Sequence, residues 1–191
     1  MQLSLDDYVD AANVATELVN TAPGVWSGVD KLSDVAALER FLSTRVTPIW
    51  GREPEDPSLT EEDVAEVRRL RDRLRELIDS PDPDLLVRRA TDLTRAVGGL
   101  TLAVGETDRT HWQATSRAGA SHADRLALVS AVGVLGVLHA LGADRFRPCA
   151  SGTCSGVFID SSRNGRRRYC MPEKCGNRVN VANHRARQKA G

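Results

Sequence analysis

Cysteine is absent from the first 148 residues, so the larger part of this chain can hold neither a disulfide framework nor a thiolate metal site. Long apolar runs are missing too. The longest uncharged stretch, Leu126 to Ala143, is broken by Ser130, Gly133, Gly136 and His139 and falls short of the roughly 20 apolar residues that span a bilayer. It reads as a buried helix. The opening MQLSLDDYVDAANVATELVN has no basic start and no apolar core of an export signal. A cytoplasmic protein with no membrane association is expected, and there clustered cysteines bind metal more often than they form disulfides. Phosphate-binding loops, nucleophile elbows and paired-carboxylate motifs are also lacking. His111, His122, His139 and Glu17 have no partners at informative spacing, so no enzyme is expected.

The charges are present but segregated. Residues 1–144 carry 15 Lys/Arg against 24 Asp/Glu, a balance of −9, whereas residues 145–191 carry 11 against 2, a balance of +9. Net neutrality hides an acidic body and a basic tail, and such asymmetry marks a polyanion-binding appendage. The division predicted is therefore 1–144 and 145–191.

Hydrophobic spacing in the body is mostly helical. Tyr8, Ala12, Ala15, Leu18 and Val19 share one face before Asn, Pro and Gly break the pattern at 20–24. Ser33 is placed to cap a helix carrying Val35, Leu38, Phe41 and Leu42, and 51–58 is a loop. Thr60–Asp63 resembles a capping box ahead of Val64, Val67, Leu70, Leu74, Leu77 and Ile78. The opposite face of that helix mixes Arg68, Arg69, Arg71, Arg73 and Arg75 with acids and reads as solvated. Asp82-Pro83 opens a further helix that Gly98-Gly99 closes. Residues 100–104 and 110–116 form a hairpin, and 122–141 the last body helix, with Gly133 and Gly136 as points of close packing and His139 in its core. The fold class is mainly α with a short β-hairpin, plus a separate finger. Trp26, Trp50 and Trp112 read as core, and Asn20-Thr21 either end a helix or line a ligand pocket for a small-molecule effector.

All four cysteines lie in the tail, as Cys149-x4-Cys154 and Cys170-x4-Cys175 with fifteen residues between the pairs. Four soft sulfur ligands suit tetrahedral Zn2+, and a site with every position filled by protein is structural. An iron–sulfur cluster or redox thiols are the alternatives at this spacing. Between the pairs, 157–159 reads as a strand, Arg163-Asn164-Gly165-Arg166 as a tight turn and 167–170 as the returning strand. After Cys175 a helix follows in which Val179, Ala182 and Ala186 form a narrow inward stripe. Knuckle, hairpin and ligand-bearing helix make a treble-clef-like finger. So small a unit depends on metal for folding, with zinc supplying on the order of 10 kcal/mol.

The residues left over are basic or amide-bearing. Arg163, Arg166, Arg167, Arg168, Asn177, Arg178, His184, Arg185 and Arg187 are the candidate nucleic-acid contacts. Arginine outnumbers lysine nine to two in this tail, which suits bidentate contacts to phosphate and guanine. Only Phe146, Phe158 and Tyr169 are aromatic there, which disfavours single-stranded RNA readers that stack bases. Double-stranded DNA is the expected partner.

The string FIDSSRNGRRRYCMPEKCGNR, 158–178, resembles the CGNR zinc finger, whose motif stands here as Cys175-Gly176-Asn177-Arg178. Glu17-Leu18-Val19-Asn20-Thr21 resembles the early VNT signature of the ABATE domain that precedes such fingers. The resemblance covers essentially the whole chain. Tyr169 stands where the family pattern suggests tryptophan. The resemblance implies zinc at Cys149, Cys154, Cys170 and Cys175 and a role in transcription regulation; in such a regulator the body is expected to sense a ligand or form a homodimer. An RNA- or protein-binding adaptor that uses the same finger is the alternative.

Overall fold

A computed structural model describes residues 2–50, 58–80, 82–104 and 110–190. Its axis is α6 (His122–Leu141), whose run of small and branched apolar residues lets several helices approach at once. Around it pack α1 (Tyr8–Val19), α4 (Glu61–Ile78) and α5 (Pro83–Val97). A Cβ at Gly133 would collide with the backbone of Ala11 and Ala12, and one at Gly136 with the Tyr8 ring. Both glycines therefore admit α1, as their sequence setting suggested. Among the described residues α6 alone is long and apolar enough to cross a membrane, yet 56% of that stretch is buried against protein. Its end is more open than expected, because His139 is exposed.

Capping chemistry sets most helix starts. Thr60 and Asp63 form the reciprocal box, with the Asp63 N–H donating to Thr60 Oγ1 at 3.3 Å and the Thr60 N–H to Asp63 Oδ2 at 2.8 Å. Asp82 caps α5 ahead of Pro83. The cap of α2 (Val35–Phe41) is Asp34 and not Ser33: Asp34 accepts from the Ala37 N–H at 2.8 Å, and Ser33 only donates its hydroxyl to Asp34. A wider π turn, Leu42–Val46, joins α2 to the short α3 (Thr47–Trp50). The expected loop over 51–58 lies outside the described residues except for Ser58.

The arginine face of α4 is less solvated than its charge mixture suggests. Arg71 is 5% exposed and pairs with Asp30 at 2.7 Å, while Arg68 donates to the carbonyls of Leu32 and Ser33. These arginines hold the segment between α1 and α2, whose regular structure is a single 3-10 turn at Pro23–Val25. Leu18, Leu38, Leu70 and Leu74 are fully buried nearby, each contributing about 1.5–3 kcal/mol of burial.

Two antiparallel sheets complete the fold. β1 (Gln2–Ser4), β2 (Gly98–Val104) and β3 (Thr110–Ser116) run in the order β1-β3-β2, with Leu102 opposite Trp112 and Leu100 opposite Ala114. The second sheet pairs β4 (Phe146–Pro148) with β5 (Val157–Ile159). This corrects the expected hairpin: the strand partner of 157–159 precedes the first cysteine, and 167–170 is not a strand. The tight turn is present, with Gly165 at φ +60°. The tail is also not self-contained, since Val157 and Ile159 belong to the body's hydrophobic core. Last comes α7 (Asn177–Ala190). The expected inward stripe is not seen in the side chains described, since Val179 is half-buried and Ala182 exposed; the Ala186 side chain lies outside the described residues.

Candidate metal centre

Cys149 follows directly on β4, and its N–H donates to the Gly156 carbonyl at 2.8 Å, closing a loop that turns Cys154 back toward it. The Gly156 N–H points at Cys154 Sγ at 3.3 Å. The second pair leads into α7, where the Cys175 N–H donates to the Met171 carbonyl at 2.8 Å. Arg168 ties the halves together by accepting from the Ala150 N–H at 2.8 Å. The result is four sulfurs within 4.8 Å of one another, with Cys154 to Cys170 at 3.6 Å and Cys170 to Cys175 at 3.8 Å. Metal–sulfur bonds of about 2.3 Å in a tetrahedron place sulfurs about 3.8 Å apart. The pocket therefore has the dimensions of a four-thiolate metal site.

Its electrostatics agree. Burial, then the neighbouring sulfurs, push the Cys175 thiol up to about 11 and Cys170 higher still. Cys149 moves the other way: burial opposes ionisation, but N–H groups of Cys170 and Ser151 directed at its sulfur outweigh it. Four thiolates in one small volume need a cation between them.

Beneath the site sits Asp160, wholly buried. Its carboxylate accepts from the N–H of Ser162 at 3.1 Å and of Arg167 at 3.0 Å, and Arg147 Nη1 lies 3.5 Å away. Arg145 donates to the carbonyls of Asp160 and Ser162. Arg167 is turned inward, donating to the carbonyls of Tyr169 and Cys170 with its guanidinium 5.0 Å from the Phe158 ring centre. Burial lowers its pKa, whereas nearby Cys170 and Asp160 oppose that shift. Arg167 thus braces the cysteine backbone and is not presented to a partner, unlike the sequence expectation. Arg163, Arg166, Arg168, Arg178, Arg185 and Arg187 are exposed. Asn177 uses its amide to donate to the Glu173 carbonyl at 2.6 Å. His184 lies within α7, and its side chain is outside the described residues.

The body holds this unit through the residues expected to line a pocket. Asn20, 4% exposed, donates from Nδ2 to the Val157 carbonyl at 2.6 Å and to the Thr16 carbonyl at 2.7 Å. Its Oδ1 accepts from the Val157 N–H at 3.2 Å, and Thr16 Oγ1 accepts from the Ile159 N–H at 3.0 Å. Side chains of α1 and of its C-cap residue Asn20 therefore satisfy the edge of β5 that a third strand would otherwise occupy. Thr21 donates to the Leu18 carbonyl at 2.6 Å and lies 3.4 Å from Arg71 Nη1. Both residues are buried and engaged in these contacts. Sequence reasoning missed this latch because its partners lie 137 residues apart.

Further contacts close the same seam. Arg75 donates to the Ser155 carbonyl, and Ser155 Oγ to the Gly24 carbonyl at 2.8 Å. The Trp26 ring has Lys174 Nζ 3.6 Å from its centre and Lys31 Nζ at 4.6 Å. Trp26 is thus a joint between body and finger. A cavity of about 460 Å³ lies elsewhere, between α1 and the π turn, lined by residues including Asp7, Asp10, Asn13, Glu17 and Arg45.

A four-cysteine, treble-clef-like finger latched to a mostly helical body is the class of protein that this arrangement defines. The CGNR zinc finger family matches residues 145–188, and the ABATE family, described as "Putative stress-induced transcription regulator", matches 12–144. The chain belongs to the ABATE family and carries a CGNR zinc finger. No match is found among curated proteins.

Proposed function

We propose that this protein is a cytoplasmic DNA-binding transcription regulator whose Cys149, Cys154, Cys170 and Cys175 hold a structural Zn2+. The sulfur spacing supports zinc, and four protein ligands leave no open position for catalysis, so the ion would fix the fold of the finger. The observation that carries the DNA reading is the sorting of the tail's nine arginines. Arg145, Arg147 and Arg167 are used internally around Asp160 and the Cys170 backbone, whereas Arg163, Arg166, Arg168, Arg178, Arg185 and Arg187 face solvent on the turn and on α7. Exposed basic groups on the turn segment and along α7 suit the phosphates of a duplex. The acidic body would repel DNA and so orient it toward the finger. The cleft beside Glu17 and Arg45, rather than Asn20-Thr21, is where a small-molecule effector would enter. A homodimer would supply the second finger that one small footprint lacks.

The test is selection from random duplex DNA by the zinc-loaded protein, beside a Cys170→Ser control, with RNA and an acidic protein as competitors. An enriched duplex motif that disappears in the control is the expected result. Preference for RNA or for the acidic protein would replace this reading with that of an adaptor.

A further inference from the structure

The hairpin of β2 and β3 is apolar on the wrong side for a free monomer. Leu100, Leu102 and Val104 alternate along β2 and share a face with their cross-strand partners Ala114, Trp112 and Thr110. Ala114 is 1% exposed and belongs to the core, so this is the face that the sheet turns toward the helices. Toward β2, however, the sheet overhangs them: Leu100 is 60% exposed, Leu102 56%, Val104 69% and Trp112 54%. β2 is also an outer strand of its sheet, bonded to β3 and, among the described residues, to no other strand. Edge strands are ordinarily protected by lysine, proline or a bulge. Gly98–Val104 contains no charged residue and no proline.

We propose that this edge pairs with the same edge of a second copy of the chain, antiparallel about a two-fold axis through Thr101. The proposal deepens the dimer in the reading above by naming its surface. In this register Leu100 faces Leu102 of the partner copy and Gly99 faces Ala103, so even-numbered residues meet even-numbered ones. Both apolar faces then fall on one side of a continuous six-stranded sheet, β1-β3-β2-β2-β3-β1, which is an isologous contact. The four exposed side chains leave on the order of 500 Å² of apolar surface in water, as large as the largest patches on ordinary monomers. Pairing the edges satisfies the outward backbone groups of β2 and sets Leu100 of each copy beside Leu102 of the other. Charge points to the same place. Residues 1–144 carry a balance of −9, so two copies repel over most of their bodies, yet 98–104 and 110–116 contain no Asp, Glu, Lys or Arg. This neutral ribbon is where a like-charged copy can approach.

Sedimentation of the full-length, zinc-loaded protein, alone and mixed, tests the register. The wild type is expected to be a dimer at micromolar concentration. Leu100→Glu and Leu102→Lys, both at exposed positions that leave the helical signal unchanged, should each weaken dimerisation by at least about tenfold, since each sets an unpaired charge against an apolar cross-strand neighbour twice per dimer. Mixing the two variants should restore a dimer, because Glu at 100 in one copy then faces Lys at 102 in the other. A wild type that remains monomeric with and without DNA overturns the proposal. So does a dimer that neither substitution weakens, or a mixture that stays monomeric. A dimer that binds no duplex DNA leaves this interface standing and removes only the DNA reading.

Discussion

Asn20→Ala removes one small side chain from the body, and its largest effect is expected in the finger. The substitution deletes both partners of Val157: the carboxamide NH2 that meets its carbonyl at 2.6 Å and the oxygen that accepts its N–H at 3.2 Å. Val157 is 1% exposed, so water does not readily replace them. Two orphaned buried backbone groups at about 1–3 kcal/mol each give a loss of about 3 kcal/mol. Because β5 links the body core to the knuckle of Cys149 and Cys154, the loss should also appear as weaker metal retention, by as much as about 100-fold at 1.4 kcal/mol per factor of ten. Urea unfolding of the zinc-loaded protein measures the first quantity, and competition with a colorimetric chelator the second. Asn20→Asp separates hydrogen bonding from volume. It keeps the size but turns an oxygen toward the carbonyls of Val157 and Thr16, and should cost at least as much as the alanine. A loss below about 1 kcal/mol, or unchanged zinc retention in a destabilised protein, would refute the latch.

Duplex binding, if it uses the six exposed arginines, should give a slope of log affinity against log salt of about −4 to −5, and Arg178→Ala or Arg185→Ala should each reduce it by about one. Arg167→Ala should instead release zinc more readily, because its guanidinium holds the Tyr169 and Cys170 carbonyls; chelator competition distinguishes the two outcomes. Gly156→Ala should impair metal binding in the same assay, since the added Cβ would lie 2.5 Å from Cys170 Sγ and 2.7 Å from Asn20 Oδ1. For pH, burial alone would raise Asp30, but the Arg71 hydrogen bond, the Leu32 N–H and the arginine charges lower its pKa below 3.8. A depressed carboxylate contributes stability that is complete above its unfolded pKa of about 4 and is lost as pH falls through the folded value. Melting temperatures between about pH 3 and 7 should therefore fall less steeply at the acid end in Asp30→Asn, and an unchanged acid limb would refute the role of the pair.

The helices were legible because their signals are local. Thr60 with Asp63, Pro83 after Asp82, and the apolar spacing from Val64 to Ile78 each act within a turn or two, where propensity and side-chain geometry decide. The choice of Asp34 over Ser33 was not, since both can cap and their positions differ by one residue. The finger's strand pairing was missed for a related reason. Asn164-Gly165 does make a turn, but a turn does not oblige the following residues to return as a strand when Phe146–Pro148 offers a partner on the other side of the knuckle.

The sequence by itself pointed to the cluster of four cysteines and to the division of charge. Paired cysteine spacing is legible because two short loops can bring four sulfurs together wherever they sit, and composition needs no fold to be counted. Tertiary structure alone decided which polar residues are used inside. Asn20 looks like a helix end or a pocket residue until β5 is brought against it from 137 positions away, and Arg167 looks like its neighbours until it is seen turned toward the Cys170 carbonyl. Hydrogen bonds between distant segments leave no periodic trace in sequence, because one polar side chain at one position suffices to make them.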